Sequence, residues 1–392
     1  MKVLMWLSIG LDRRTPSEHL LKAIVESLYK QGHTVHILQK NTGGEDTSFK
    51  DLIEKYCIQV TNISIKKTKK NSFIYRYLLD LIYVFKCKKV LKNEHYDRVF
   101  LQSSNVAGYE MYYLKKFANN VPVLFNVQDI FPENASYVGK LKKKNVLFKF
   151  FEYFQHKAYK QASKIITISE DMKNEIVGAG IPESKVHVVY NWGYQDEVYN
   201  PVIEKNDVVD SLISNKFFNV VYAGNIGMMQ NVDVILESAS LLIDNKKIKF
   251  HIFGNGLYRS RLEDKARKLN LGNVSFHDML DKKYAPSIYC KADVNVIPLA
   301  KDIYKTALPS KTAICLASQK PIVLAIGKKS IFAQKLSKST GAPIIDSLDY
   351  QKLASIITDF YNNNIEYNSE NFYTQNFKLS ENSRKYVKVL CD

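Results

Sequence analysis

The stretch Asn219-Val-Val-Tyr-Ala-Gly-Asn-Ile-Gly-Met-Met-Gln-Asn decides how this chain is read. Its first five residues are β-formers in a run short enough for one strand. Gly224 and Gly227 then let the backbone turn tightly and come close to another group. From about 232 to 244 the pattern becomes helical. Strand, glycine turn and helix open a βαβ unit, and the free N–H groups of the helix suit a phosphate. A purely structural turn is the alternative, because a Gly-x-x-Gly spacing alone is weak evidence.

The alternation continues on both sides. Downstream, strands are expected over 249–253, 274–277, 294–297 and 321–325, with helices near 259–269 and 331–337. From about 350 the chain is helical, with a break at 362–364. Upstream, strands are expected over 3–9, 35–38, 98–101, 122–127, 165–168 and 186–190, and Leu20, Leu21, Ile24, Val25 and Leu28 mark a helix over 17–30. The stretch 195–215 is polar, carries Pro201 and reads as a linker. These features predict an α/β fold of two Rossmann-like domains, 1–200 and 201–375, facing each other across a cleft. The last helix, 376–392, is expected to pack back on the first domain.

Bulk properties agree. A chain of 392 residues exceeds what one core usually serves. Hydrophobic content of 46% with 24% charged residues is ordinary for a folded protein. The apolar run at 3–9 is too short for a signal peptide, and Asp12, Arg13 and Arg14 follow it. The longest apolar stretch, 73–87, is broken by Arg76 and Asp80 and does not span a bilayer. The five cysteines lack metal spacing and read as reduced thiols, so a cytoplasmic location is expected.

The net charge of +17 is concentrated. Residues 66–92 hold nine Lys/Arg against Asp80, and 140–164 hold eight Lys against Glu152. Both stretches interleave lysine with aromatic and aliphatic residues, a pattern that suits an anionic membrane surface. The alternative is that the aromatics face the core and the lysines only solvate the outside. Nothing accompanies the charge that marks a nucleic-acid reader, so no nucleic-acid partner is expected.

Two further segments carry chemistry. Tyr304-Lys-Thr-Ala-Leu-Pro-Ser-Lys-Thr-Ala follows the 294–297 strand; Pro309 presets a helical turn and Ser310 suits capping. Lys311 would then oppose the helix dipole, a conflict that a bound diphosphate would resolve. An exposed lysine of little consequence is the alternative. Asn126-Val-Gln-Asp-Ile-Phe-Pro-Glu sets Asp129 and Glu133 at the carboxyl end of a strand, as candidates for acid/base work, although Asp129 also suits an N-cap.

At these residues the chain resembles glycosyltransferase family 4, retaining enzymes of the GT-B architecture, and within it the branch building bacterial capsule, exopolysaccharide and O-antigen units. The resemblance rests on ordered segments across nearly the whole chain, among them Val127-Gln-Asp-Ile-Phe-Pro-Glu, Ala162-Ser-Lys-Ile-Ile-Thr-Ile-Ser-Glu, Tyr222-Ala-Gly-Asn-Ile-Gly, Phe253-Gly-Asn-Gly and Leu308-Pro-Ser-Lys. It implies a sugar transfer with retained anomeric configuration and no metal or other cofactor. The donor would be a nucleotide sugar, with UDP the favoured carrier, and the acceptor a lipid-linked saccharide at the inner face of the plasma membrane. In the donor domain, Gly224, Asn225 and Gly227 would run along the phosphates, with Lys311 compensating their charge and Ser310 beside it in the donor site. Lys305, Thr306 and Ala307 would offer backbone N–H groups, and Gly254, Met279 and Leu280 would position the base. Asp129 would contact the donor sugar or acceptor hydroxyl.

The chain also departs from the family. Two glutamates usual in the donor site are replaced by Thr306 and Ile314, and Gln319 stands where glycine is common. The usual Arg and Lys after the glycine turn are replaced by Asn225 and Gln230, and the first-domain glycine loop is reduced to Gly10. Arg13 and Arg14 would meet a pyrophosphate-linked acceptor or cap the rim. The rival readings are a GT-B sugar-nucleotide epimerase and a non-catalytic partner subunit of the same fold.

Overall fold

A computed structural model describes residues 1–11, 18–41, 49–65, 73–199 and 206–392. Arg13, Arg14 and the first residues of the 66–92 basic stretch lie outside the described residues. The chain divides into two units, Met1–Tyr190 with Leu379–Asp392, and Asn191–Lys378.

Among the described residues the first unit is built on seven strands: β1 (Lys2–Leu7), β2 (Thr34–Asn41), β3 (Gln59–Ser64), β4 (Arg98–Gln102), β5 (Val123–Val127), β6 (Lys164–Thr167) and β7 (Val186–Val188). They lie side by side as β3-β2-β1-β4-β5-β6-β7, each pair parallel. Helices cover both faces of such a sheet, so central strands are buried and mostly apolar: Val-Leu-Phe-Asn-Val of β5 is buried at every position. The chain's final helix, Leu379–Cys391, belongs to this unit. Its Tyr386 hydroxyl donates to Asn126 Oδ1 at 3.1 Å, and Asn382 donates to the Tyr190 carbonyl at 3.1 Å.

The second unit repeats the scheme with β8 (Phe218–Ala223), β9 (Ile248–Phe253), β10 (Val274–His277), β11 (Val294–Pro298) and β12 (Ile322–Ala325), in the order β10-β9-β8-β11-β12, again parallel. The expected α/β class with two Rossmann-like sheets is what the structure contains.

Several local expectations are corrected. β3 was not among the expected strands: it lies at the sheet edge, is nowhere fully buried, and its Gln-Val-Thr-Asn-Ile-Ser sequence lacks a clean apolar period. β1 stops at Leu7, so Ser8 to Gly10 form the following loop. A 3-10 turn, Met228–Gln230, separates the glycine turn after β8 from the helix Asp233–Leu241. Ser310 does not cap: it is exposed, and Lys311 is the residue that precedes the helix Thr312–Ala317, with no side-chain cap. Asp129 does not cap either, since Pro132 precedes the helix Glu133–Tyr137. The missing glycine at Gln319 has a visible consequence: this residue adopts φ +57°, a conformation that favours glycine.

Candidate active site

In the second unit the strand order reverses between β8 and β11, and ligands of open α/β sheets bind at the carboxyl ends of the strands beside such a reversal. Gly224, Asn225 and Gly227 follow β8, and Lys305, Thr306, Ala307, Ser310 and Lys311 follow β11, so they flank it. Gly254 follows β9, and Met279 and Leu280 follow β10, one loop further out.

Two glycine loops interlock here. Gly224 (φ +148°) donates to the Phe253 carbonyl at 2.9 Å, and Gly254 (φ +136°) donates to the His277 carbonyl at 3.1 Å. A Cβ on Gly254 would lie 1.9 Å from the Gly224 carbonyl oxygen. Both the clash and the left-handed backbone oppose a side chain. Gly254→Ala should lower stability by about 3 kcal/mol or more, read as a shifted denaturant midpoint at unchanged m-value.

Lys311 reaches into this turn. Its ammonium sits 3.6 Å from the centre of the Tyr222 ring and occupies the space where a Gly224 Cβ would be, 2.8 Å away. The stem is half-buried, but Nζ itself is buried and has no hydrogen-bond partner among the described residues. Desolvation of the charged form pushes the amine down to about 7. A lysine that loses its hydration without gaining an acceptor is unfavourable. The ring face offsets part of that, and an arriving anion would offset the rest.

The surroundings are held firmly. The Tyr222 hydroxyl donates to the Asn225 carbonyl at 2.5 Å, and Tyr289 donates to the Ala223 carbonyl at 2.9 Å. Asn225 donates to Gln230 Oε1 at 3.2 Å; this neutral pair stands where the family has cations. Thr306 is fully buried, with its hydroxyl turned onto the Ile303 carbonyl at 3.1 Å. It presents no carboxylate, and the N–H groups expected to meet the phosphates are already used: Lys305 donates to the Asp302 carbonyl at 3.1 Å, Thr306 to the Ile303 carbonyl at 2.9 Å and Ala307 to that same carbonyl at 3.0 Å. Lys305 is paired with Asp302 at 2.9 Å.

The sequence reading gave Arg259 no role. Its guanidinium donates to the Gly254 carbonyl at 3.0 Å, Asn255 Oδ1 at 2.6 Å and Asp278 Oδ1 at 2.6 Å, tying the loops after β9 and β10 together. Its place in Gly254-Asn-Gly-Leu-Tyr-Arg, at the start of the helix Arg259–Lys268, was the only available signal.

The first unit reverses its strand order between β1 and β4. Gly10 lies in the loop after β1 and is buried; the next residue, Leu11, donates its N–H to Gln39 Oε1 at 2.9 Å. Beneath that loop lies Glu110, also unpredicted. It is completely buried and accepts from Ser8 at 2.5 Å and Ser104 at 2.7 Å, one serine after β1 and one after β4. Burial pushes its carboxyl up to about 7 even though both hydroxyls favour the charged form. The folded chain therefore holds this proton more tightly than the unfolded one. That contribution to stability is complete at pH 4, then lost as pH rises through about 7. Glu110→Gln keeps the shape without the charge. It should melt higher than the parent at pH 8, by about 1–3 kcal/mol, and no higher at pH 4.

Asp129 follows β5, on a loop anchored by Asn126, Gln102 and Gln128: Asn126 donates to Gln102 at 2.8 Å, and Gln128 donates to Asn126 at 2.9 Å. The Asp129 side chain is open to solvent, yet protein surrounds it closely enough for desolvation to push its carboxyl up to about 6. Glu133 lies deeper. Its Oε2 is buried with no partner among the described residues, and burial raises its carboxyl as well.

Comparison with known proteins gives this geometry its family. Residues 17–192 match the model described as Glycosyltransferase Family 4, and residues 204–375 match Glycosyl transferases group 1. WbjE of Pseudomonas aeruginosa, described as a probable glycosyltransferase, is 25% identical over 70% of this chain and 69% of its own. WcaI of Escherichia coli (strain K12), named for colanic acid biosynthesis, is 27% identical over 42% of this chain and 40% of its own. Among solved structures, Anabaena HepE in complex with UDP and glucose superposes with a TM-score of 0.71 at 16% identity, over 100% of this chain and 99% of that one. WaaG, a glycosyltransferase involved in lipopolysaccharide biosynthesis, does so with 0.66 at 12%, over 98% and 95%. With two parallel sheets of this order and a match to one glycosyltransferase model in each half, the chain belongs to the GT-B glycosyltransferases.

Proposed function

We propose that this enzyme transfers a sugar, with retention at the anomeric carbon, from a UDP-sugar to a lipid-linked saccharide held at the cytoplasmic face of the plasma membrane, in the assembly of capsule or exopolysaccharide. The observation that carries the reading is the buried, unpartnered ammonium of Lys311 against Gly224, beside the reversal of strand order. That arrangement lacks only an anion. UDP is favoured because HepE structures carry UDP and UDP-glucose.

The chemistry follows from the charges. As the bond from the sugar to the diphosphate lengthens, negative charge builds on the departing oxygen and positive charge on the sugar ring. Lys311 would stabilise the former with one charge-assisted hydrogen bond. Asp129, ionised above about pH 6, would take the proton of the attacking hydroxyl or hold the donor sugar. Glu133, Gly10 and the arginines at 13 and 14 are assigned to the acceptor side. The bilayer surface is assigned to the basic stretches.

A non-catalytic relative is favoured by one observation, the replacement of the family's glutamate by a Thr306 whose hydroxyl is already satisfied. One experiment separates the readings. Melting is followed with UDP, GDP, dTDP and NAD, then turnover with UDP-glucose and a membrane extract as acceptor source. A ligand at 100 times its Kd stabilises by about 2.7 kcal/mol. A shift with UDP followed by sugar incorporation supports the transferase. A shift without incorporation, or none with any nucleotide, overturns it.

A further inference from the structure

The helix Phe73–Asn93 has two apolar faces, and the first unit uses only one of them. Tyr83, Val84, Cys87 and Leu91 are buried, and Tyr83 ties the helix to the sheet by donating to the Leu7 carbonyl at 2.8 Å. On the other side Ile74, Leu78, Ile82 and Phe85 follow at spacings of four, four and three, a single stripe along the helix. They are 63%, 50%, 47% and 64% exposed. The helix Val146–Gln161 behaves likewise. Phe148, Phe151 and Tyr159 face inward, while Val146 (82% exposed), Phe150 and Tyr153 face out. The two helices meet where Tyr77 packs edge-on against Phe151, ring centres 5.1 Å apart. The helix Ala107–Phe117, with Tyr112 outermost, packs against both.

Lysines frame this surface. Lys88, Lys92 and Lys116 hold their ammonium groups over the Phe117 ring at 5.0–5.6 Å, and Lys157 lies over Tyr153 at 4.7 Å. No carboxylate pairs with any of these four among the described residues. No helix among the described residues is long and apolar enough to cross a membrane.

We propose that this three-helix face of the first unit inserts its apolar stripes into an anionic bilayer and lies flat on it, with the lysines at headgroup depth. Resting on the reading that the acceptor is membrane-held, it names the surface and the side chains that enter. An exposed aliphatic stripe gains from a hydrocarbon boundary and gains nothing from a nucleic-acid backbone. A second copy using the same face would set lysine against lysine. A negatively charged lipid surface is the occupant complementary to both the stripe and its frame.

The test uses the full chain and vesicles of phosphatidylcholine, alone or with phosphatidylglycerol, without nucleotide or acceptor. The native chain should sediment with the anionic vesicles and remain free with the neutral ones. Ile82→Ser with Phe85→Ser should weaken binding at least tenfold, and Lys88→Glu with Lys92→Glu should weaken it and remove its salt dependence. Phe85→Trp should be quenched by brominated lipid. All variants should melt like the native chain and keep any UDP-induced shift, so failure here is distinguishable from failure of the donor reading. Equal binding by the stripe variant, no binding by the native chain, or a dimer that the stripe variant dissociates would each overturn the proposal.

Discussion

Lys311→Met should lose nucleotide binding by about a hundredfold or more while the unliganded protein becomes more stable. These opposite signs share one cause. The buried ammonium has an aromatic face but no acceptor, and its amine is pushed down to about 7 by burial. An unfolded lysine keeps its proton to about pH 10.4, so between pH 7 and 10 the unfolded chain holds more protons than the folded one. Stability therefore rises with pH across that window, and the penalty is complete below it. Methionine fills the same volume without charge and removes the penalty, raising stability at pH 7 by about 1–3 kcal/mol. In the native chain a bound diphosphate supplies the missing acceptor and draws the proton back. UDP binding should take up a proton above pH 7, and the UDP-induced melting shift should shrink between pH 7 and 9. Calorimetry in buffers of different ionisation enthalpy measures that uptake. A variant that keeps the parent's UDP shift would remove Lys311 from the site.

Asp129→Asn should lower turnover by about 10²–10⁴-fold without lowering the melting temperature. Its carboxyl is raised to about 6 because protein crowds it, so the active, ionised form is lost as pH falls through 6. The native rate should bend downward below that pH, and the variant's small residual rate should lack the bend. A raised acid contributes stability only at low pH, where the proton is held, so the asparagine variant has nothing to lose at pH 8. Turnover against pH for both proteins is the measurement. An acid limb surviving in the variant would assign it to another group, with Glu133 the next to test.

Much of the fold was legible because parallel sheets are read from local runs. A strand such as β12 is buried on both faces and is apolar throughout. The helix Glu18–Lys30 shows its buried side in the spacing of Leu20, Leu21, Ile24, Val25 and Leu28. β3 was not legible because an edge strand, nowhere fully buried, is under no such demand. Ser310 is not the cap because the helix begins at Thr312, which leaves Lys311 in the position before it.

The amino-acid sequence by itself determined the two α/β units and the loops that carry Gly224, Gly254, Asp129 and Lys311, because strand and turn signals are local. Only the tertiary structure decided what those side chains meet. Lys311 becomes a buried, half-neutral amine through contact with Tyr222 and Gly224, far away in the chain. Glu110 becomes a buried carboxyl, raised by desolvation and held by Ser8, 102 residues distant. The stripe from Ile74 to Phe85 looks like ordinary core until the sheet takes the opposite face of its helix. Desolvation depends on what closes around a group, and that is set by packing between segments that no local pattern relates.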